Sequence, residues 1–181
     1  LNTTVLVDET YCGGKERFKS KAKRKEVREN RRYIEKTPVI GLLEANGEAR
    51  LQVIKQASLE TISETMYDNI AANTVIVSDC SAYYTNVRDN GYYGGHIAIN
   101  HSKGEYVNGD YTTNPVESFF ACLKRSIYGC YHQVSVKHLQ RYCEETSYRF
   151  NTRKLKDYQR FDKCFDSIEG GLTYEDLIKK Q

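Results

Sequence analysis

Thr3-Thr4-Val5-Leu6-Val7-Asp8 opens the chain with a short β-branched, apolar run that stops on an aspartate, and Val75-Ile76-Val77-Ser78-Asp79 repeats the pattern. Apolar runs of this length, rich in Val and Ile and followed by turn residues, read as buried strands. The expected strands are Thr3–Val7 and Thr74–Val77, each with an aspartate at its tip. Neighbouring strands lie about 4.7–4.9 Å apart, so matching ends can bring two carboxylates side by side. A single aspartate there is explained as a turn residue; two at matching strand ends weaken that reading.

The elements between and beyond these runs set the fold class. Thr37–Glu44 and Glu48–Ile54 flank Ala45-Asn46-Gly47, a strong hairpin signal, and with the first strand predict a three-stranded antiparallel meander. Ser58 is placed to cap a helix to about Ala71, with Leu59, Ile62, Met66 and Ile70 on one face. A short helix over Ser81 to Asp89 and a strand His96–Asn100 come next. The segment from Pro115 is a helix expected to stop near Tyr128, before Gly129. A longer helix starts at Ser135 and runs to about Asn151. The tail carries Gly170-Gly171-Leu172-Thr173-Tyr174, a turn before a last short helix. Strands, helix, strand, helix, strand, then helices is the order of a ribonuclease-H-like α/β fold: a mixed five-stranded sheet flanked by helices.

That fold adds a third acid to the two strand aspartates. In Asn114-Pro115-Val116-Glu117 the spacing matches a capping box, Asn114 as N-cap and Glu117 reaching back. Val116, Phe119, Phe120, Leu123 and Ile127 form the apolar stripe of the same helix. Glu117 and Lys124, two turns apart, share a neighbouring face. A carboxylate with a cation further along suits a site that handles a nucleic-acid strand, the cation meeting a phosphate. Asp110, Glu105 and the side-chain oxygen of Asn114 are alternatives for the third ligand. Carboxylate oxygens suit Mg²⁺ or Mn²⁺.

Composition narrows the class. The 181 residues suffice for one domain with a real core, and 39% hydrophobic with 28% charged residues is a globular balance. No apolar stretch approaches a membrane span. Net charge is only +3, yet eleven Lys and Arg stand against four Glu between Lys15 and Lys36. A block like this suits a polyanion or is a solvated loop. The six cysteines are scattered without a C-x-x-C pair, as expected of reduced intracellular thiols. The four histidines lack metal-binding spacing. In YHQVSVKHLQRY, however, Lys137, His138 and Arg141 are candidates for a phosphate backbone, against the plainer reading of a polar helix face. The fifteen tyrosines serve either core and boundary positions or stacking on bases.

Several segments together resemble one known family: VDETYCGGKE, KTPVIGLLE, VSDCSAYY, the long block through NPVESFFACLKRSIYGCYHQVSVKHLQRYCEETSYRFNTR, and GGLTYEDLI. They are similar to the transposase domain of ISXO-type insertion sequences, whose eukaryotic relatives are the Merlin elements. The likeness covers essentially the whole chain, residues 1–181 as a single catalytic domain. It implies a DDE transposase that uses Mg²⁺ (or Mn²⁺) to cut element ends and join them to target DNA. By position, the catalytic and metal-holding acids implied are Asp8, Asp79 and Glu117. Lys124 is the basic residue that follows, with Arg125 beside it as a further backbone contact.

Two departures stand out. Phe120 occupies a position where the family commonly has tryptophan. The zinc-ribbon and DNA-binding segments usual upstream are missing, and the chain opens into a strand without an initiator methionine, as expected of a chain cut at a domain boundary. The implied partners are element ends and target DNA, with a homo-oligomer in the assembled complex and no membrane. The implied location is intracellular: the cytoplasm or nucleoid of a prokaryotic cell, or the nucleus of a eukaryotic one. A ribonuclease-H-like nuclease without strand transfer, and a domesticated DNA-binding module, remain as alternatives.

Overall fold

Five strands form one sheet, β1 (Thr4–Cys12), β2 (Thr37–Glu44), β3 (Ala49–Val53), β4 (Val75–Asp79) and β5 (Gly95–Ile99), in the order β3-β2-β1-β4-β5. The computed structural model describes residues 1–13, 21–22, 25, 36–45, 47–87, 91–100, 104, 107–109 and 111–166. His101, Glu105, Asp110, most of the Lys15–Lys36 block and the Gly170–Tyr174 turn with its helix lie outside the described residues. β1 runs antiparallel to β2 and β2 antiparallel to β3, which is the expected meander. β4 lies parallel to the other side of β1, and β5 parallel to β4. This mixed sheet with helices on its faces is ribonuclease-H-like.

Pleat alternation divides the core into two layers. On one face, Leu6, Cys12, Val39, Leu43, Leu51, Val77 and Ile99 pack against α2 (Asn114–Arg125) and α3 (Val136–Asn151). The helix side supplies Val116, Phe119, Phe120, Leu123, Ile127, Leu139 and Cys143. On the other face, Val5, Val7, Ile40, Leu42 and Ile76 meet Ile62, Met66 and Ile70 of the α1 region (α1, Leu59–Asn69), with Tyr84 and Val87 of a 3-10 helix, Ala82–Val87. Fully burying each such aliphatic side chain contributes roughly 1.5–3 kcal/mol. Ser58 caps α1 as expected, its side chain accepting from the Thr61 amide at 3.2 Å.

Four local expectations need correction. β1 does not end at Val7: it continues to Cys12 because β2 offers a partner at every position from Glu44 to Thr37. Asp8 therefore sits inside the strand, not at its tip, whereas Asp79 is the last residue of β4. The N-cap of α2 is Thr113, one residue before the predicted Asn114. The Asn114 amide is taken by Thr112 Oγ1 at 3.2 Å, so Glu117 does not complete a capping box. Gly129 does not stop the helix; α2 passes into a π-helix, Ser126–Tyr131, and the turn comes at His132 with φ +57°. Finally, α4 (Asp157–Phe165) was not anticipated, and it buries none of its residues.

The outer edge of the sheet is closed by side chains. Gln140 Oε1 accepts from the Val53 amide at 2.8 Å, while its Nε2 donates to the Leu51 carbonyl at 3.2 Å. Three turns on, Asn151 Oδ1 accepts from the Ala49 amide at 2.8 Å and its Nδ2 donates to the Ala49 carbonyl at 3.0 Å. Two amides on α3 thus complete the backbone pairing that a sixth strand would otherwise supply.

Candidate functional site

The register between β1 and β4 puts the two strand aspartates in the same phase. Thr4, Val5 and Leu6 pair with Val75, Ile76 and Val77, where the parallel ladder ends; the same offset continued two residues would set Asp8 beside Asp79, and both lie close enough to Glu9 for their charges to act on it. Both alternate in phase with Leu6 and Val77, so both face the layer of α2 and α3. Across the other ladder Asp8 pairs with Gly41. A Cβ on Gly41 would lie 2.6 Å from Phe120 Cε1 and 3.1 Å from Val116 Cγ2. Glycine at this position lets α2 settle onto the sheet at the level of Asp8, one residue from Glu117.

Each aspartate also has a local anchor. Asp8 Oδ1 accepts from the Glu9 amide at 2.8 Å, and Asp79 Oδ1 accepts from the Ser81 amide at 2.9 Å. Glu117 is exposed and receives a hydrogen bond from Thr113 Oγ1 at 3.4 Å, which draws it towards the start of its own helix. Among the described residues no three His, Cys, Asp or Glu side chains converge closely enough to hold a metal ion. Asp8 and Asp79 share a face of the sheet, but Glu117 does not close on them as a ready trio. In donor type the sheet pair fits a hard divalent cation.

Glu9, which was not singled out from sequence, answers to both aspartates. It alternates onto the opposite face, where burial pushes its carboxyl from 4.5 up to about 7. The nearby Tyr84 hydroxyl pulls that value down, and the charges of Asp8 and Asp79 push it further up. Glu9 Oε1 and the Tyr84 hydroxyl are both buried, and neither makes an aligned hydrogen bond with a described residue. The Tyr84 hydroxyl is itself held well above its usual range by burial, then by Glu9 and the two aspartates. The signal for Glu9 lay in Glu9-Thr10-Tyr11-Cys12: once the strand runs on to Cys12, Glu9 falls on the face of Val5 and Val7, where it is half-buried.

The basic candidates spread over two helices. Lys124, half-buried on α2, is close enough to Cys12 at the end of β1 for its charge to oppose the burial that raises that thiol. Arg125 is exposed and reaches Cys122 Sγ at 3.3 Å. Lys137, His138 and Arg141 occupy the first turns of α3, with Arg141 the most open of the three. Lys124, Arg125 and Arg141 form no ion pair with a described residue. Cys143 is buried, its thiol pushed up to about 12, and the described cysteines are all unbridged. Asn114, the alternative third ligand, is exposed at the first position of α2.

A family model described as an ISXO2-like transposase domain matches residues 1–151. This chain belongs to that family. The match covers the whole sheet, both strand aspartates and helices α1 to α3, and ends at Asn151, the last residue of α3. Helix α4 lies beyond it. The comparison with curated proteins found no match. No helix among the described residues of this transposase domain is long and apolar enough to cross a membrane.

Proposed function

We propose that this transposase domain cleaves and joins DNA strands at a site built on Asp8 and Asp79, with Glu117 as third carboxylate. The observation that supports the reading is the β1–β4 register, Thr4–Leu6 against Val75–Val77, from which Asp8 and Asp79 follow in the same phase on the sheet face covered by the helix that bears Glu117. Asp8 and Asp79 would hold divalent Mg²⁺ or Mn²⁺, and Glu117 would approach as the cation offsets the repulsion among the acids. Such ions, when bound, lower the charge on the attacking and leaving oxygens of an in-line phosphodiester displacement. Asn114 and Asp110 are the alternative third ligands. Lys124 and Arg125 would hold the phosphate backbone from the same helix, and Lys137, His138 and Arg141 would extend the track along α3. Contacts of this type set affinity and register without reading sequence.

The test is a cleavage assay on intact element ends together with a strand-transfer assay on pre-cleaved ends, both in Mg²⁺. Asp8→Asn and Asp79→Asn are expected to lower both cleavage and joining by about 10³-fold or more, since several kcal/mol of charge stabilisation is lost at 1.36 kcal/mol per decade. Cleavage without joining by the unaltered domain would favour a nuclease. Activity unchanged by Asp79→Asn would remove the site.

A further inference from the structure

Behind the two aspartates, the layer facing α1 holds, besides Glu9 and Tyr84, a small polar chain. Ser78, the residue before Asp79, is fully buried and shares the face of Ile76. Its Oγ lies 2.8 Å from His96 Nε2 on the neighbouring strand β5 and donates to the Asp79 carbonyl oxygen at 2.9 Å. A serine hydroxyl has one proton to give. While that proton is committed to the Asp79 carbonyl, His96 Nε2 must carry a proton and donate it to Ser78 Oγ. The pairing of Ile76 with His96 and of Ser78 with Ala98 keeps the two side chains adjacent on one face.

We propose that Ser78 and His96 are positioning residues for Asp79: the chain His96 Nε2–H to Ser78 Oγ–H to the Asp79 carbonyl fixes the peptide from which the Asp79 carboxylate projects. The carboxylate is fixed separately, its Oδ1 accepting from the Ser81 amide at 2.9 Å. Asp79 is thus held at its carbonyl from behind and at one carboxylate oxygen from the loop that follows. Oδ2 has no hydrogen-bond partner among the described residues and is the oxygen available to a cation. Filling space is no sufficient reason for a hydroxyl here, because alanine at position 78 would fit beside Ile76 with no buried hydroxyl of its own to desolvate. Supporting groups behind a ligating carboxylate act on metal affinity by orienting it.

The inference rests on the reading of Asp79 as a metal ligand, and the test separates the two. Mn²⁺ binding to the purified chain is measured by electron paramagnetic resonance, alongside thermal unfolding, for the unaltered protein and for Ser78→Ala, His96→Leu and His96→Gln. Ser78→Ala and His96→Leu should weaken Mn²⁺ binding about tenfold or more. His96→Gln, whose amide N–H can take the place of Nε2–H, should restore it to within about threefold of the unaltered protein. In ¹⁵N spectra of the unaltered chain, His96 Nε2 should be protonated with no metal added. A Ser78→Ala chain that melts earlier yet binds Mn²⁺ within twofold of the unaltered protein would reduce the pair to a structural role and overturn the proposal, as would a His96 protonated on Nδ1 alone. An unaltered chain that takes up no Mn²⁺ removes the metal reading of Asp79 itself, and the His96 spectrum then judges the hydrogen-bonded chain on its own.

Discussion

Gly41 and Phe120 show how one missing methyl sets the height of a helix above a sheet. The space a Cβ would need at Gly41 is filled by the Phe120 ring, with contacts of 2.6 and 2.7 Å. Gly41→Ala should therefore destabilise the domain by about 1–3 kcal/mol, the usual cost of overpacking. Gly41→Ala/Phe120→Leu should recover part of that loss in chemical denaturation. Glu9 lends itself to a different measurement. Its folded-state value of about 7 stands above the 4.5 of an ordinary glutamate, so the folded chain keeps a proton that the unfolded chain releases between those values. Glu9's contribution is greatest below pH 4.5, declines as pH rises to about 7, and stays low above it. In metal-free buffer, Glu9→Gln should abolish that decline and gain about 1–2 kcal/mol over the unaltered protein at pH 8, after discounting for partial solvent access. Denaturation midpoints at pH 5 and pH 8 check it; parallel pH profiles for the two proteins would refute it.

At the scale of elements, the edge contacts of α3 are the most exposed to test. Removing either amide leaves part-buried backbone groups of β3 without partners, at about 1–3 kcal/mol. Gln140→Ala/Asn151→Ala should lower stability by more than either single change and accelerate aggregation, read by light scattering. The same scale shows what a bare sequence discloses. Apolar periodicity located the sheet and the α2 stripe, because Val, Ile, Leu and Phe at period 2 or 3.6 report burial directly. It stopped β1 at Asp8, since Asp and Glu argue against a strand unless a partner such as β2 overrides their preference. It placed the cap of α2 one residue late, and with it the role of Glu117. Helix α4 left no core signature, because it packs no residue inside. The placing of Asp8 and Asp79 on two neighbouring strands was legible as two repeats of one pattern. Which residues lie behind them, Ser78, His96, Glu9 and Tyr84, depends on strand register, which no local window contains.

For the whole molecule, net charge understates the capacity for polyanions. A mild +3 hides a strongly basic block near the start and, on α2 and α3, Lys124, Arg125 and Arg141, which form no ion pair with a described residue. If Lys124 meets a phosphate, its removal should weaken DNA binding alike for all sequences. In a titration over salt, Lys124→Ala should reduce the slope of log K against log salt by about one. A variant with the parent's slope would exclude that contact. The closure of the β3 edge carries a further consequence, for synthesis. Asn151 closes a strand that left the ribosome 102 residues earlier, so at about 5–20 residues per second the nascent hairpin waits roughly 5–20 s with its flank open. Translation that ends before α3 releases a sheet ready to pair with whatever extended chain it meets, which makes an abortive fragment of this domain a greater hazard to the cell than the finished protein.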